Sequence, residues 1–123
     1  KYEQAVKTFE QLEAASKGHH FAKNALAVAY AITWKFNKAR EIIKQLKETA
    51  VNEYVAHTVT ALAAAYLDDL DEAFRLLDKA YSDRDPLIIA IKYENWVPEN
   101  LREDDRYHLL LEKIGFPEPA VSY

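Results

Sequence analysis

Ala5, Ala39 and Ala73 stand 34 residues apart along the chain. Four positions beyond each is a large apolar side chain (Phe9, Ile43, Leu77), and seven beyond are Leu12, Leu46 and Ala80. Self-similarity at a fixed period constrains the fold more than any other feature of this chain. It describes one supersecondary unit, copied, and a 34-residue unit has room for a helix, a turn and a second helix. One helix pair cannot bury both faces of its inner helix, so copies must stack on one another and the last must be covered.

The local patterns agree. Residues 2–16 place Ala5, Phe9 and Leu12 on one helical face. After Gly18-His19-His20 a second helix is expected over 20–33. Asn37 is a candidate N-cap for a third at 38–49, Asn52 for a fourth at 53–67, and the Asp69–Glu72 capping-box spacing opens a fifth at 70–82. The first, third and fifth each carry a charged face. The second is apolar at 10 of 12 positions from Phe21 to Ile32, and the fourth at 11 of 14 from Tyr54 to Leu67. A helix that is apolar nearly all round must be buried nearly all round. The many alanines in these two let neighbouring helices approach closely.

Beyond Tyr81 the punctuation changes. Asp85-Pro86 starts a short helix over 86–92, Pro98 a brief turn through Leu101, and Asp104 a last helix to 114, closed by Gly115 and Pro117. Residues 118–123 read as a frayed end. Leu87, Ile88, Ile91, Leu101, Leu109, Leu110 and Ile114 are available to cover the last pair, with Arg102 and Arg106 to ion-pair nearby carboxylates. The expected fold is all-α: antiparallel helix pairs in an α-α superhelix over 1–84, with a C-terminal helical cap of the same domain over 85–123.

A 34-residue helix–turn–helix period resembles the tetratricopeptide repeat. The outer-helix positions fit it as Ala/Phe, Ala/Ile and Ala/Leu pairs. The inner-helix positions fit in part, through Leu26-Ala27 and Tyr30; the fourth helix departs, with Thr60-Ala61 and Ala64. The run Leu67–Phe74, with Leu77, Lys79-Ala80-Tyr81 and Arg84-Asp85-Pro86, resembles the closing repeat of certain bacterial tetratricopeptide domains. So do Ile91-Lys92, Pro98, Leu101-Arg102, Asp104, Arg106-Tyr107, Leu110-Leu111 and Gly115-Phe116-Pro117. The resemblance implies the regulatory C-terminal part of a larger signalling protein, whose N-terminal part is a nucleotide cyclase, a protein kinase or a winged-helix regulator. The chain begins within a helix and without methionine, which agrees with a natural protein extending further upstream and with a first repeat truncated there.

Several functions are disfavoured by what the chain contains. Sixteen basic and 20 acidic residues give a net charge of −4, with no Lys/Arg block to hold a nucleic-acid backbone. No apolar run is long enough for a membrane span. Without cysteine there is no disulfide and no thiolate metal site, which fits a reducing, cytoplasmic location. His19, His20, His57 and His108 have no metal-ligand spacing and read as capping or surface groups. Asp68, Asp69, Asp71 and Glu72 lack the glycine and spacing of a calcium loop and read as turn and cap residues. Ser16, Ser82 and Ser122 have no nucleophile context, so no catalytic residue, metal or cofactor is expected.

Binding remains. The resemblance implies a concave groove lined by the inner helices: Phe21, Asn24, Val28 and Ile32 from one, and Val55, Thr58, Leu62 and Tyr66 from the next. Such a surface is mainly apolar and lacks a Lys/Arg clamp. Its expected guest is an amphipathic helix or extended apolar segment of a protein or peptide, an upstream domain of the same chain included. A homodimer through this face and a small ligand held between the inner helices are the alternatives. Trp34, in a turn where the repeat prefers a small residue, either projects as an anchor or folds back on Phe36. Trp96 also falls near a turn.

Overall fold

The computed structural model describes residues 2–92 and 97–115; the expectations for Trp96, Phe116, Pro117 and the frayed end at 118–123 lie outside these. Among the described residues every regular element is helical: α1 (Tyr2–Ala15), α2 (His20–Ile32), α3 (Phe36–Thr49), α4 (His57–Tyr66), α5 (Leu70–Ser82), a 3₁₀ segment (Pro86–Lys92), α6 (Glu99–Arg102) and α7 (Asp105–Ile114). None is long and apolar enough to cross a membrane.

The turns are built alike. After α2 the chain passes through Trp34 at φ +68°, and after α4 through Asp68 at φ +62°. At the first turn the Lys35 amide donates to the Tyr30 carbonyl at 2.8 Å; 34 residues later Asp69 donates to Ala64 at 3.0 Å. These six-to-one bonds satisfy carbonyls that the helix end would otherwise leave open. A matching pair closes α1 and α5, with left-handed Lys17 and Arg84 and with bonds from Gly18 to Glu13 and from Asp85 to Ala80, both 2.9 Å.

The connection after α3 breaks this pattern. Asn52 was expected to cap a helix from 53, yet α4 begins only at His57, and its N-cap residue is Ala56, whose side chain makes no cap bond. Val55 and Ala56 are instead buried in irregular backbone. Two tethers hold that segment: the Ala56 carbonyl accepts from Asn24 Nδ2 at 3.3 Å, and the Tyr54 hydroxyl donates to Asp85 at 2.8 Å. Asn37 likewise lies inside α3, which starts one residue earlier at Phe36. The remaining caps fall where the sequence places them. Asp69 accepts from the Glu72 amide, Asp104 from the Arg106 amide, and Gly115 ends α7 at φ +91°.

Helix α2 packs against α1, α3 and α4, and α4 packs against α2, α3, α5 and the 3₁₀ segment. One apolar cluster joins α1, α2 and α3 through Val6, Leu26, Tyr30 and Ala39. The larger joins α4 and α5 to the C-terminal segments, with Leu76 and Leu77 meeting Ile88, Ile91, Leu101 and Leu110. The expected covering residues Leu87 and Leu109 are exposed instead, while Val97 and Tyr107 are buried there. Tyr107 donates its hydroxyl to the Ile91 carbonyl and so ties α7 to the 3₁₀ segment. Arg106 bridges Asp71 on α5 at 2.8 Å and Asp104 at 3.0 Å, and its guanidinium lies over the Phe74 ring. Arg102 turns its Nε to the Val97 carbonyl at 3.1 Å.

Asp85 is the polar keystone of this packing. Its buried carboxylate accepts from the Thr58 amide and hydroxyl, the Tyr54 hydroxyl and the Leu87 amide, at 2.8–3.2 Å. Partial burial, then the hydrogen bond to Asp85, pushes the Tyr54 hydroxyl up to about 12, so it remains a donor throughout the neutral range. Asp85→Ala strips the acceptor from two buried Thr58 donors and is expected to cost about 2–4 kcal/mol in urea denaturation. Leu77→Ala, at a fully buried position, should cost about 2–5 kcal/mol by the same measurement.

Candidate functional site

On α2 the partly exposed apolar side chains are Phe21, Ala25, Val28 and Ile32. They recur at i, i+4, i+7 and i+11, which forms one stripe along the helix. Phe21 is the most exposed, at 59%. Its ring stacks on His19 at 5.5 Å, and the His19 Nδ1 accepts from the Phe21 amide at 3.2 Å, so the first turn of α2 is held by this cap.

Asn24, expected on the same surface, turns inward. It is buried between α2 and α4, where it accepts from the Thr60 hydroxyl and donates to the Ala56 carbonyl. One step along a helix rotates a side chain by about 100°, so Asn24 faces the neighbouring helix while Ala25 faces out. Ala25 is the stripe residue that sequence reasoning missed, and its i+4 spacing from Phe21 was the signal that could have found it.

The second predicted row changes more. Val55 precedes α4 and is buried; Thr58 is buried against Asp85; Leu62 is buried among α4's neighbours. Tyr66 alone of the four keeps partial exposure, and Val59, 34 residues after Ala25, does so too. Groove-lining by Asn24, Val55, Thr58 and Leu62 is therefore corrected: these four are core groups. The reason lies in the packing. Helix α4 is enclosed by α2, α3, α5 and the C-terminal segments, whereas among the described residues no equivalent of those segments packs on α2. Burial, then nearby Tyr2, raises the Tyr66 hydroxyl above its ordinary range.

Trp34 combines both expected behaviours. It is 80% exposed, and its ring stacks on Phe36 with centroids 5.9 Å apart. The acidic cluster divides its work: Asp69 caps α5, and Glu72 accepts Nε and Nη2 of Arg75 at 2.9 and 2.6 Å while pairing with Lys47 at 3.1 Å. These cations, Arg75 foremost, hold the Glu72 carboxyl below the usual range. Among the described residues no group of His, Asp and Glu has the arrangement of a metal site.

His57 departs from its expected place at the surface. It is buried at the start of α4, with Nε2 3.8 Å from Asp83. Burial pushes its pKa down against the pull of Asp83 and Asp85, and Lys79 and Arg75 act in the same direction as burial.

Comparison of the chain with protein-family profiles, with curated proteins and with solved structures gives no match in any of the three.

The His57 shift fixes a sign for the acid limb of stability. The folded state binds this proton less readily than the unfolded state, whose imidazole titrates near about 6.5. Stability is then full above that pH and declines as the pH falls through 6.5 toward the lower folded value. His20, also lowered by burial, acts in the same direction. Thermal melts between pH 7.5 and 5 should show a falling midpoint, with a shallower fall in His57→Gln.

Proposed function

We propose that this chain is a tetratricopeptide-like, non-catalytic protein-binding scaffold, the regulatory C-terminal module of a larger bacterial signalling protein working in the cytoplasm. The observation that carries the reading is the 34-residue period. It appears in the apolar pattern of Ala5, Ala39 and Ala73 and again in the backbone of the turns at Trp34 and Asp68. Repeats that stack in this way present an extended surface in place of an enclosed pocket, and such surfaces serve to hold other chains.

The proposed contact surface is the α2 stripe of Phe21, Ala25, Val28 and Ile32, continued in register by Val59 and Tyr66. Apolar groups spaced at i, i+4 and i+7 suit an amphipathic helix laid along them, whose own apolar face then leaves water. Its backbone is already satisfied internally, so the scaffold need supply few hydrogen bonds. The partner is a protein or peptide, and an upstream domain of the same protein fits the description.

Two substitutions separate binding from folding. Phe21 is largely exposed and Val28 partly so, which means that a charge at Phe21 leaves the core alone. Isothermal titration of the chain against the upstream domain, and against amphipathic helical peptides, should give saturable binding. Phe21→Glu and Val28→Glu should each weaken it by at least about tenfold, because a charge is stranded against an apolar guest. Circular dichroism melts identify any variant that is merely unfolded. Absence of binding to every such helix, or affinity unchanged by Phe21→Glu in a folded chain, defeats the reading.

A further inference from the structure

Away from the α2 stripe, a second concavity of about 380 Å³ lies between the C-terminal end of α3 and one face of α5, with His57 lining it from the start of α4. Four of its lining side chains are basic: Lys47, His57, Arg75 and Lys79. The other three, Ala50, Val51 and Leu76, are apolar, and among the described residues no carboxylate lines it. Lys47, Arg75 and Lys79 thus gather three cations on one wall of a chain whose net charge is −4.

The cations are held in position from outside the cavity wall. Glu72 grips Arg75 through Nε and Nη2 and Lys47 at 3.1 Å; Asp83 lies 3.5 Å from Lys79. In these ion pairs Lys47, Arg75 and Lys79 face Glu72 and Asp83, three cations against two carboxylates, while His57, whose pKa burial lowers, adds no charge to the count. Arg75 has five N–H donors and spends two on Glu72. Its guanidinium is therefore oriented by the ion pair while part of its donor fork stays free for an incoming oxyanion. Cations fixed in advance and backed by second partners lose little freedom when an anion arrives.

Size and lining narrow the guest. The cavity falls in the range of small-molecule sites, and Ala50, Val51 and Leu76 offer an apolar wall beside the charged one. We infer that this pocket binds a small organic oxyanion, a carboxylate or phosphate ester carrying a short apolar body, with Arg75, Lys79 and Lys47 on the anionic group and Val51 and Leu76 against the apolar part. The site is independent of the α2 stripe and stands or falls separately from the scaffold reading.

The test is a heteronuclear NMR titration of the whole chain with phenyl phosphate and with 3-phenylpropionate. Neutral 3-phenylpropanol and inorganic phosphate serve as separate arms. Saturable shifts are expected for the amides of Ala50, Val51, Leu76 and Lys79 with both organic anions. Inorganic phosphate should bind the same amides more weakly, and the alcohol should not saturate them. Lys79→Gln, at a half-exposed position that leaves the core intact, should weaken binding about tenfold, the scale of one charge-assisted hydrogen bond. Arg75→Gln should do at least as much, with amide spectra elsewhere unchanged. Linear shifts without saturation, equal shifts with the alcohol, equal affinity for bare phosphate, or affinity unchanged in Lys79→Gln and Arg75→Gln would each overturn the assignment.

Discussion

Ala61, Ala63, Ala64 and Ala65 leave Leu62 as the one bulky side chain over five successive positions of α4, and all five are buried. Neighbouring helices can therefore come down close to its backbone, and each is obliged to, because no face of α4 is polar enough to meet water. Everything around it follows from this enclosure. Helix α2 packs on one side, α3 and α5 on others, and the 3₁₀ segment with Ile88 and Ile91 adds a further cover. Without those C-terminal segments the array would end on an apolar surface.

Enclosure creates a second demand, since α4 carries polar groups into the core. Thr60 and Asn24 satisfy one another, and Thr58 finds Asp85. A buried polar group without a partner costs about 1–3 kcal/mol, so these pairings select one registration of α2, α4 and the 3₁₀ segment over slipped alternatives. They also explain the long irregular stretch before α4. Tyr54 and Ala56 are tied to Asp85 and Asn24, so the chain reaches His57 before it can turn helical. The same displacement sets His57 beneath α5 and opens the basic concavity beside it.

The two surfaces differ in kind for a physical reason. The α2 stripe is long, apolar and shallow, suited to a chain whose backbone is already hydrogen-bonded. The concavity between α3 and α5 is compact and basic, and Glu72, shared by Lys47 and Arg75, and Asp83, paired with Lys79, hold its cations in place. Helices α3 and α5 each carry a charged face, so charge gathers where they face each other across the start of α4.

The all-helical class, the 34-residue unit, the caps at Asp69 and Asp104 and the stop at Gly115 were all legible in the sequence. Each depends on residues within one or two turns, or on a period that needs no tertiary knowledge. The accessible stripe was legible only in part: Phe21, Val28 and Ile32 follow from spacing, while Asn24 misled because its polarity looked like a surface handle. Tertiary structure decided the rest. It buried Asn24, Val55, Thr58 and Leu62, converted Asn52 from a cap into part of a connector, and placed His57 in the core. Those outcomes turn on which neighbours enclose α4 but leave α2's stripe open. That is decided by the segments after α5, which do not share the 34-residue pattern and which that pattern does not encode.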